Sequence, residues 1–97
     1  MITRGNELSE KNGRRDYPLT SDEIAGRHFC VWKTTPSNPF GPHVHEQREI
    51  WFILDGQATV SIDGEESVVQ GGDMIQLDPW VEHGLQTTTE VRWICMG

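Results

Sequence analysis

His43-Val44-His45-Glu46-Gln47-Arg48-Glu49-Ile50-Trp51-Phe52-Ile53-Leu54-Asp55-Gly56-Gln57-Ala58-Thr59-Val60-Ser61-Ile62-Asp63-Gly64 is the stretch that decides the fold. Its two runs rich in aromatic and β-branched residues, Glu49 to Leu54 and Gln57 to Ile62, are punctuated by Asp55-Gly56 and Asp63-Gly64. Asp-Gly after such a run marks a tight turn, because glycine takes a positive φ without steric cost. Successive strand side chains point to opposite sides, so Glu49, Trp51 and Ile53 share one face, and Ala58, Val60 and Ile62 form the apolar face of the next strand. By the same rule His43 and His45 lie together and Val44 points away.

Similar short runs recur outward from this stretch: His28 to Lys33, Val44 to His45, Glu66 to Gln70, Met74 to Leu77, Gly84 to Thr88 and Val91 to Met96. With no strong helical period between them, the chain reads as an all-β sandwich or barrel. On the run Met74 to Leu77 alternation allows either Ile75 and Leu77 as the inward pair or Met74 and Gln76 as the lining. Thr34 to Pro42 contains Pro36, Pro39 and Pro42, which cannot donate to a ladder, and reads as a stiff loop that carries Phe40 on a cavity rim. Residues 1–27 have no sustained period and contain Gly5, Gly13, Pro18 and Gly26. They are expected to be an extended arm, with Thr20 and Glu23 capping at most one helical turn.

A length of 97 residues allows one domain, so any chemistry must fit within it. The net charge of -7 is unevenly spread: residues 1–33 hold six Lys/Arg against five Asp/Glu, residues 34–97 two against ten. The acidic half carries most of the histidines, which argues against a nucleic-acid partner, and no helix-turn-helix pattern occurs. No run approaches the roughly 20 apolar residues of a membrane span, and the polar N-terminus lacks a signal-peptide core. A soluble cytoplasmic protein without a membrane partner is expected. Cys30 and Cys95 lack Cys-x-x-Cys spacing, which excludes a metal knuckle or a thioredoxin-type motif; they read most simply as reduced, buried small residues, with a disulfide as the minor alternative.

His43, His45 and Glu49, joined by His83 beyond the Gly72-Asp73 turn, supply three imidazoles and a carboxylate, a set able to enclose one divalent ion. Closed structural sites are usually thiolate-rich, so this set leans towards catalysis. These residues resemble the cupin superfamily. Its first motif, His-x-His, three or four residues, Glu, six residues, Gly, is matched by His43-Val44-His45, Glu46-Gln47-Arg48, Glu49, Ile50 to Asp55 and Gly56. Its second is similar to Gly72-Asp73-Met74-Ile75-Gln76-Leu77-Asp78-Pro79-Trp80-Val81-Glu82-His83, in which Trp80 stands at a tight point usually held by glycine.

The resemblance implies a small single-domain cupin, a double-stranded β-helix or jelly-roll barrel over residues 28–97. It implies one divalent metal ion per chain (iron, manganese, zinc, nickel, cobalt or copper) on His43, His45, Glu49 and His83. Glu49 is the candidate catalytic group, a ligand that can also take a proton. The function implied is a mononuclear metal-dependent enzyme acting on a small molecule, first a dioxygenase. The alternatives are an isomerase, epimerase or lyase acting on a sugar or acid, and a non-catalytic binding or sensor module. Phe40, Gln47, Trp51, Gln76 and Trp93 are candidate pocket residues. Glu46, Glu82 and Arg48 read as solvated, and His28 as a packed or surface residue. The arm is expected to pack on a neighbouring subunit of a homodimer, with Phe29, Val31, Ile50, Phe52 and Leu54 on the faces opposite the cavity.

Overall fold

A computed structural model describes residues 1–21 and 26–97; Glu23 of the expected cap lies outside these residues. The strands are β1 (Arg14–Asp16), β2 (Phe29–Thr34), β3 (Phe40–His43), β4 (Glu49–Asp55), β5 (Gln57–Ile62), β6 (Glu65–Gln70), β7 (Met74–Leu77), β8 (His83–Gln86) and β9 (Val91–Met96). They form two antiparallel sheets, ordered β1-β2-β9-β4-β7 and β3-β8-β5-β6, the arrangement of a jelly-roll barrel. A single 3-10 turn, Gly5–Glu7, is the one helical element among the described residues. None of their helices is long and apolar enough to cross a membrane.

The alternation read from the sequence places the core between the sheets. Trp51 and Ile53 of β4, Val91, Trp93 and Cys95 of β9, Cys30 of β2, and Ile75 and Leu77 of β7 face Ala58, Val60 and Leu85 of the other sheet. Trp51 and Trp93 pack with ring centroids 4.5 Å apart, and Phe40 lies edge-on to Trp32, Trp51 and Trp93 at 4.7, 5.4 and 4.9 Å. Aromatic pairs favour such edge-to-face contacts because the positive ring edge meets the negative face. At the β5–β6 hairpin Asp63 and Gly64 both take positive φ, 50° and 82°, as a two-residue turn matching strand twist requires.

Most strand ends differ from the sequence reading by one or two residues, and two of the differences shape the site. The proline-rich segment does not stay a loop to Pro42: β3 runs through Phe40–His43 across a cis Gly41-Pro42 bond, and Val44 and His45 lie beyond it. β3 is an edge strand bonded to β8 alone, so the absent N–H of Pro42 leaves no gap in a central ladder. β8 starts at His83 rather than Gly84. Together these shifts place His43 directly opposite His83.

Part of the arm belongs to the barrel. Residues of β1 pair with β2 of the same chain (Arg14 opposite Trp32, Arg15 opposite Val31, Asp16 opposite Cys30), extending the five-stranded sheet by one edge strand.

Candidate metal centre

Three strand junctions deliver the donor set: the segment after β3 carries His45, β4 begins with Glu49 and β8 begins with His83. His45 Nε2 is 3.5 Å and His83 Nε2 is 3.9 Å from the same oxygen, Glu49 Oε1. Donor atoms of His45, Glu49 and His83 all lie within 4.8 Å of one another. His83 is 1% and Glu49 10% exposed at the side chain, so water does little to relieve what they present to each other.

The orientation of His83 is decided by its second nitrogen. Nδ1 donates to the Val81 carbonyl at 2.9 Å, so in the neutral ring Nε2 carries a lone pair. That lone pair faces a carboxylate oxygen, and Nε2 has no hydrogen-bond partner; His45 Nδ1 is likewise buried without one. An unsatisfied buried polar atom costs about 1–3 kcal/mol, and two acceptors facing each other repel. A cation between His83 Nε2 and Glu49 Oε1 removes both penalties, so the residues fit a divalent ion.

Outer contacts hold the donors. The Trp51 indole N–H donates to Glu49 Oε1 at 3.1 Å. The Trp80 backbone N–H donates to the His45 carbonyl at 2.8 Å, from a residue held at φ 65°. The glycine that the cupin pattern favours at this turn would accept that conformation without strain. His43 stands to one side, exposed, with its ring 4.5 Å from Phe40 and 6.0 Å from His83, outside the group of three. Partial burial first, then the neighbouring His83 and His45, push its imidazole below the usual range.

The remaining candidates separate by environment. Phe40 and Gln47 line a cavity of about 240 Å³ that opens onto His45 and Glu49, together with Trp32, His28, Cys95, Arg14 and Arg27. Trp51 and Trp93 are core residues; the Trp93 indole donates to Thr34 Oγ1 at 3.0 Å. Gln76 is exposed and borders a different depression beside Arg48, Ile50 and Asp78. Arg48 pairs with Asp78 at 2.8 Å, and Glu46 and Glu82 are exposed.

Four mouth residues escaped the sequence reading. His28 Nε2 lies 3.5 Å from Glu49 Oε2 and 3.3 Å from Cys95 Sγ. The hydrogen bond Cys95 shares with Cys30, together with burial, pushes the Cys95 thiol far above the ordinary thiol range. Arg14 lies over the Trp32 ring at 5.4 Å and pairs with Asp16 at 2.7 Å, whereas the Arg27 guanidinium has no ion-pair partner among the described residues. The one local signal was the shared face of His28, Cys30 and Trp32. Register between β2 and β9, and between β1 and β2, brings up the rest.

Two antiparallel sheets with a histidine–carboxylate cluster at the barrel mouth define a small jelly roll with a candidate metal centre. The family model described as "Cupin domain" matches residues 30–97, and the chain belongs to this family. Among solved structures it is similar to a Thermotoga maritima protein described as a predicted oxalate decarboxylase (23% identity, TM-score 0.80, covering 99% of this chain and 96% of that one). It is also similar to an RmlC-like cupin from Shewanella frigidimarina (19%, TM-score 0.78, 98% and 86%) and a Cupin 2 conserved barrel domain protein from Salinispora arenicola (20%, TM-score 0.74, 99% and 85%). At these identities the likeness shows the fold alone. No curated protein matches the chain.

Proposed function

We propose that this cupin is a mononuclear metal-dependent enzyme acting on a small acidic molecule, in a dioxygenase-type reaction. The observation that carries the proposal is the His83 lone pair aimed at Glu49 Oε1 below a mouth that holds two arginines. His45, Glu49 and His83 would hold the ion, with His43 joining from the opposite strand. When bound, the ion supplies Lewis acidity and, if redox-active, a route for electrons to oxygen.

The chain's own residues divide the remaining work. Arg27, which has no ion-pair partner among the described residues, and Arg14 attract and orient a carboxylate group, since guanidinium presents paired donors that match its two oxygens. Trp32 and Phe40 give the mouth an apolar wall that displaces water. Glu49 Oε2, on the side away from His45 and His83, faces His28 at 3.5 Å.

A second reading, a lyase or isomerase using only Lewis acidity, is favoured by one observation. Trp51 and Trp93 fill the core, so the mouth is less an aromatic slot than a charged one. The Thermotoga maritima protein is named for a small dicarboxylate, the kind of ligand such a mouth suits. The test is to load metal-free protein with iron or zinc and screen keto acids, dicarboxylates, aromatic diols and sugars with and without oxygen. Oxygen-dependent turnover confined to a redox-active ion supports the first reading. Anaerobic turnover by the zinc form replaces it with the second, and binding without turnover in every form leaves a sensor module. We also propose that the protein is a homodimer through the outer face of the five-stranded sheet, where Ile50 and Phe52 are exposed between Met96, Ile94 and Met74.

A further inference from the structure

Spacing along the chain excludes a cysteine knuckle, yet the fold brings two cysteines and a histidine together. Cys30 and Cys95 are direct cross-strand partners in β2 and β9, 0% and 2% exposed. His28 lies on the same face as Cys30, and donor atoms of His28, Cys30 and Cys95 lie within 4.8 Å of one another. A fourth donor comes from the candidate centre: Glu49 Oε1 faces His45 and His83, while Oε2 faces His28.

We propose that His28, Cys30 and Cys95, with Glu49 Oε2, form a second metal site for a thiophilic divalent cation of the zinc class, with Glu49 as the residue shared with the first. Tetrahedral coordination at ordinary zinc–sulfur, zinc–nitrogen and zinc–oxygen lengths sets donor-to-donor edges of about 3.3–3.8 Å. Two edges have that length already: His28 Nε2 to Cys95 Sγ at 3.3 Å and His28 Nε2 to Glu49 Oε2 at 3.5 Å. Thiolates select soft and borderline ions over magnesium, calcium or manganese, so the two clusters differ in what they take. His28, Cys95 and Glu49 all line the mouth cavity, which gives an ion a way in. Each thiol that ligates releases its proton, so loading acidifies the solution.

The second cluster stands on its own donors and shares only Glu49 with the proposed centre, so the two can fail separately. The test titrates the metal-free full-length chain with cadmium, following ultraviolet thiolate-to-cadmium charge transfer and bound ions by equilibrium dialysis. Wild type should bind two ions per chain with a charge-transfer band. Cys95→Ser should lose the band and one ion, whereas His83→Ala should lose one ion and keep the band. His28→Ala changes a partly exposed residue outside the buried cysteine pair. It should weaken the band-forming site at least about tenfold with an unchanged circular dichroism spectrum, keeping the test valid if Cys95→Ser does not fold. One ion without a band overturns this site and leaves the first centre standing. One ion whose band survives His83→Ala but not His28→Ala upholds this site and removes the first. An unchanged cadmium affinity in His28→Ala overturns the assignment.

Discussion

β4 carries two different surfaces on alternate residues. Its inward face presents Glu49, Trp51 and Ile53: a metal-donor candidate followed by two core side chains. Its outward face presents Ile50, Phe52 and Leu54, which remain 37%, 38% and 40% exposed. Each face lacks something different. Inward, apolar packing is complete but a nitrogen lone pair meets a carboxylate, a conflict that a cation settles. Outward, the backbone ladder is complete but apolar side chains meet water, a cost that a second apolar surface settles. The outer face of the four-stranded sheet is more polar, since β5 and β8 present Gln57, Thr59, Ser61 and Gln86 there, with Val68 of β6 as its exposed apolar side chain.

Substitutions on the two faces should therefore separate cleanly. The largest effect is expected from His83→Ala or Glu49→Gln. On the proposed centre the first removes a donor and the second its negative charge, and each should weaken manganese binding by more than the roughly 10–100-fold that loss of an outer partner costs. Isothermal titration measures it, and affinity within tenfold of wild type in either variant would break the contrast. Next comes Trp51→Ala, which empties a fully buried site and should cost about 3–5 kcal/mol in denaturant unfolding. Trp51→Phe keeps most of the packing but removes the indole N–H on Glu49 Oε1. It should leave the fold intact and weaken manganese binding by about tenfold.

Outward changes should leave the metal alone. Ile50→Lys combined with Phe52→Lys should convert the dimer to monomer in light scattering, with manganese affinity unchanged; a monomeric wild type at micromolar concentration would sink the dimer proposal. The smallest effect is expected at Trp80, which is 64% exposed and held at positive φ. Trp80→Gly should relieve strain and raise stability by about 1 kcal/mol, visible as a small rise in thermal midpoint. A fall in the midpoint would show that the indole packs where it looks exposed.

The strand runs, the Asp63-Gly64 turn and the faces of β4 and β5 were legible because alternation and turn chemistry are local; on β7 alternation left two faces open, and the structure buries Ile75 and Leu77. His45, Glu49 and His83 were legible through motif spacing, and the fold brings them together. What could not be read depends on register between distant strands. Cys30 meets Cys95 only through β2–β9 pairing, and Arg14 reaches the mouth only because β1 adds to the sheet edge. Phe40 to His43 hid a strand behind prolines, because local rules do not tell an edge position from a central one. Trp51 and Trp93 share the mouth-facing side of their strands, but depth decides whether such a residue lines a cavity or fills the core, and depth is a property of the closed barrel.

The most direct test of the central claim is manganese stoichiometry, because manganese disfavours thiolates and so reports the histidine–glutamate centre alone. Metal-free wild type and Cys95→Ser should each take up one manganese ion per chain, and His83→Ala should take up none under the same conditions. Equal manganese occupancy in wild type and His83→Ala would contradict the account.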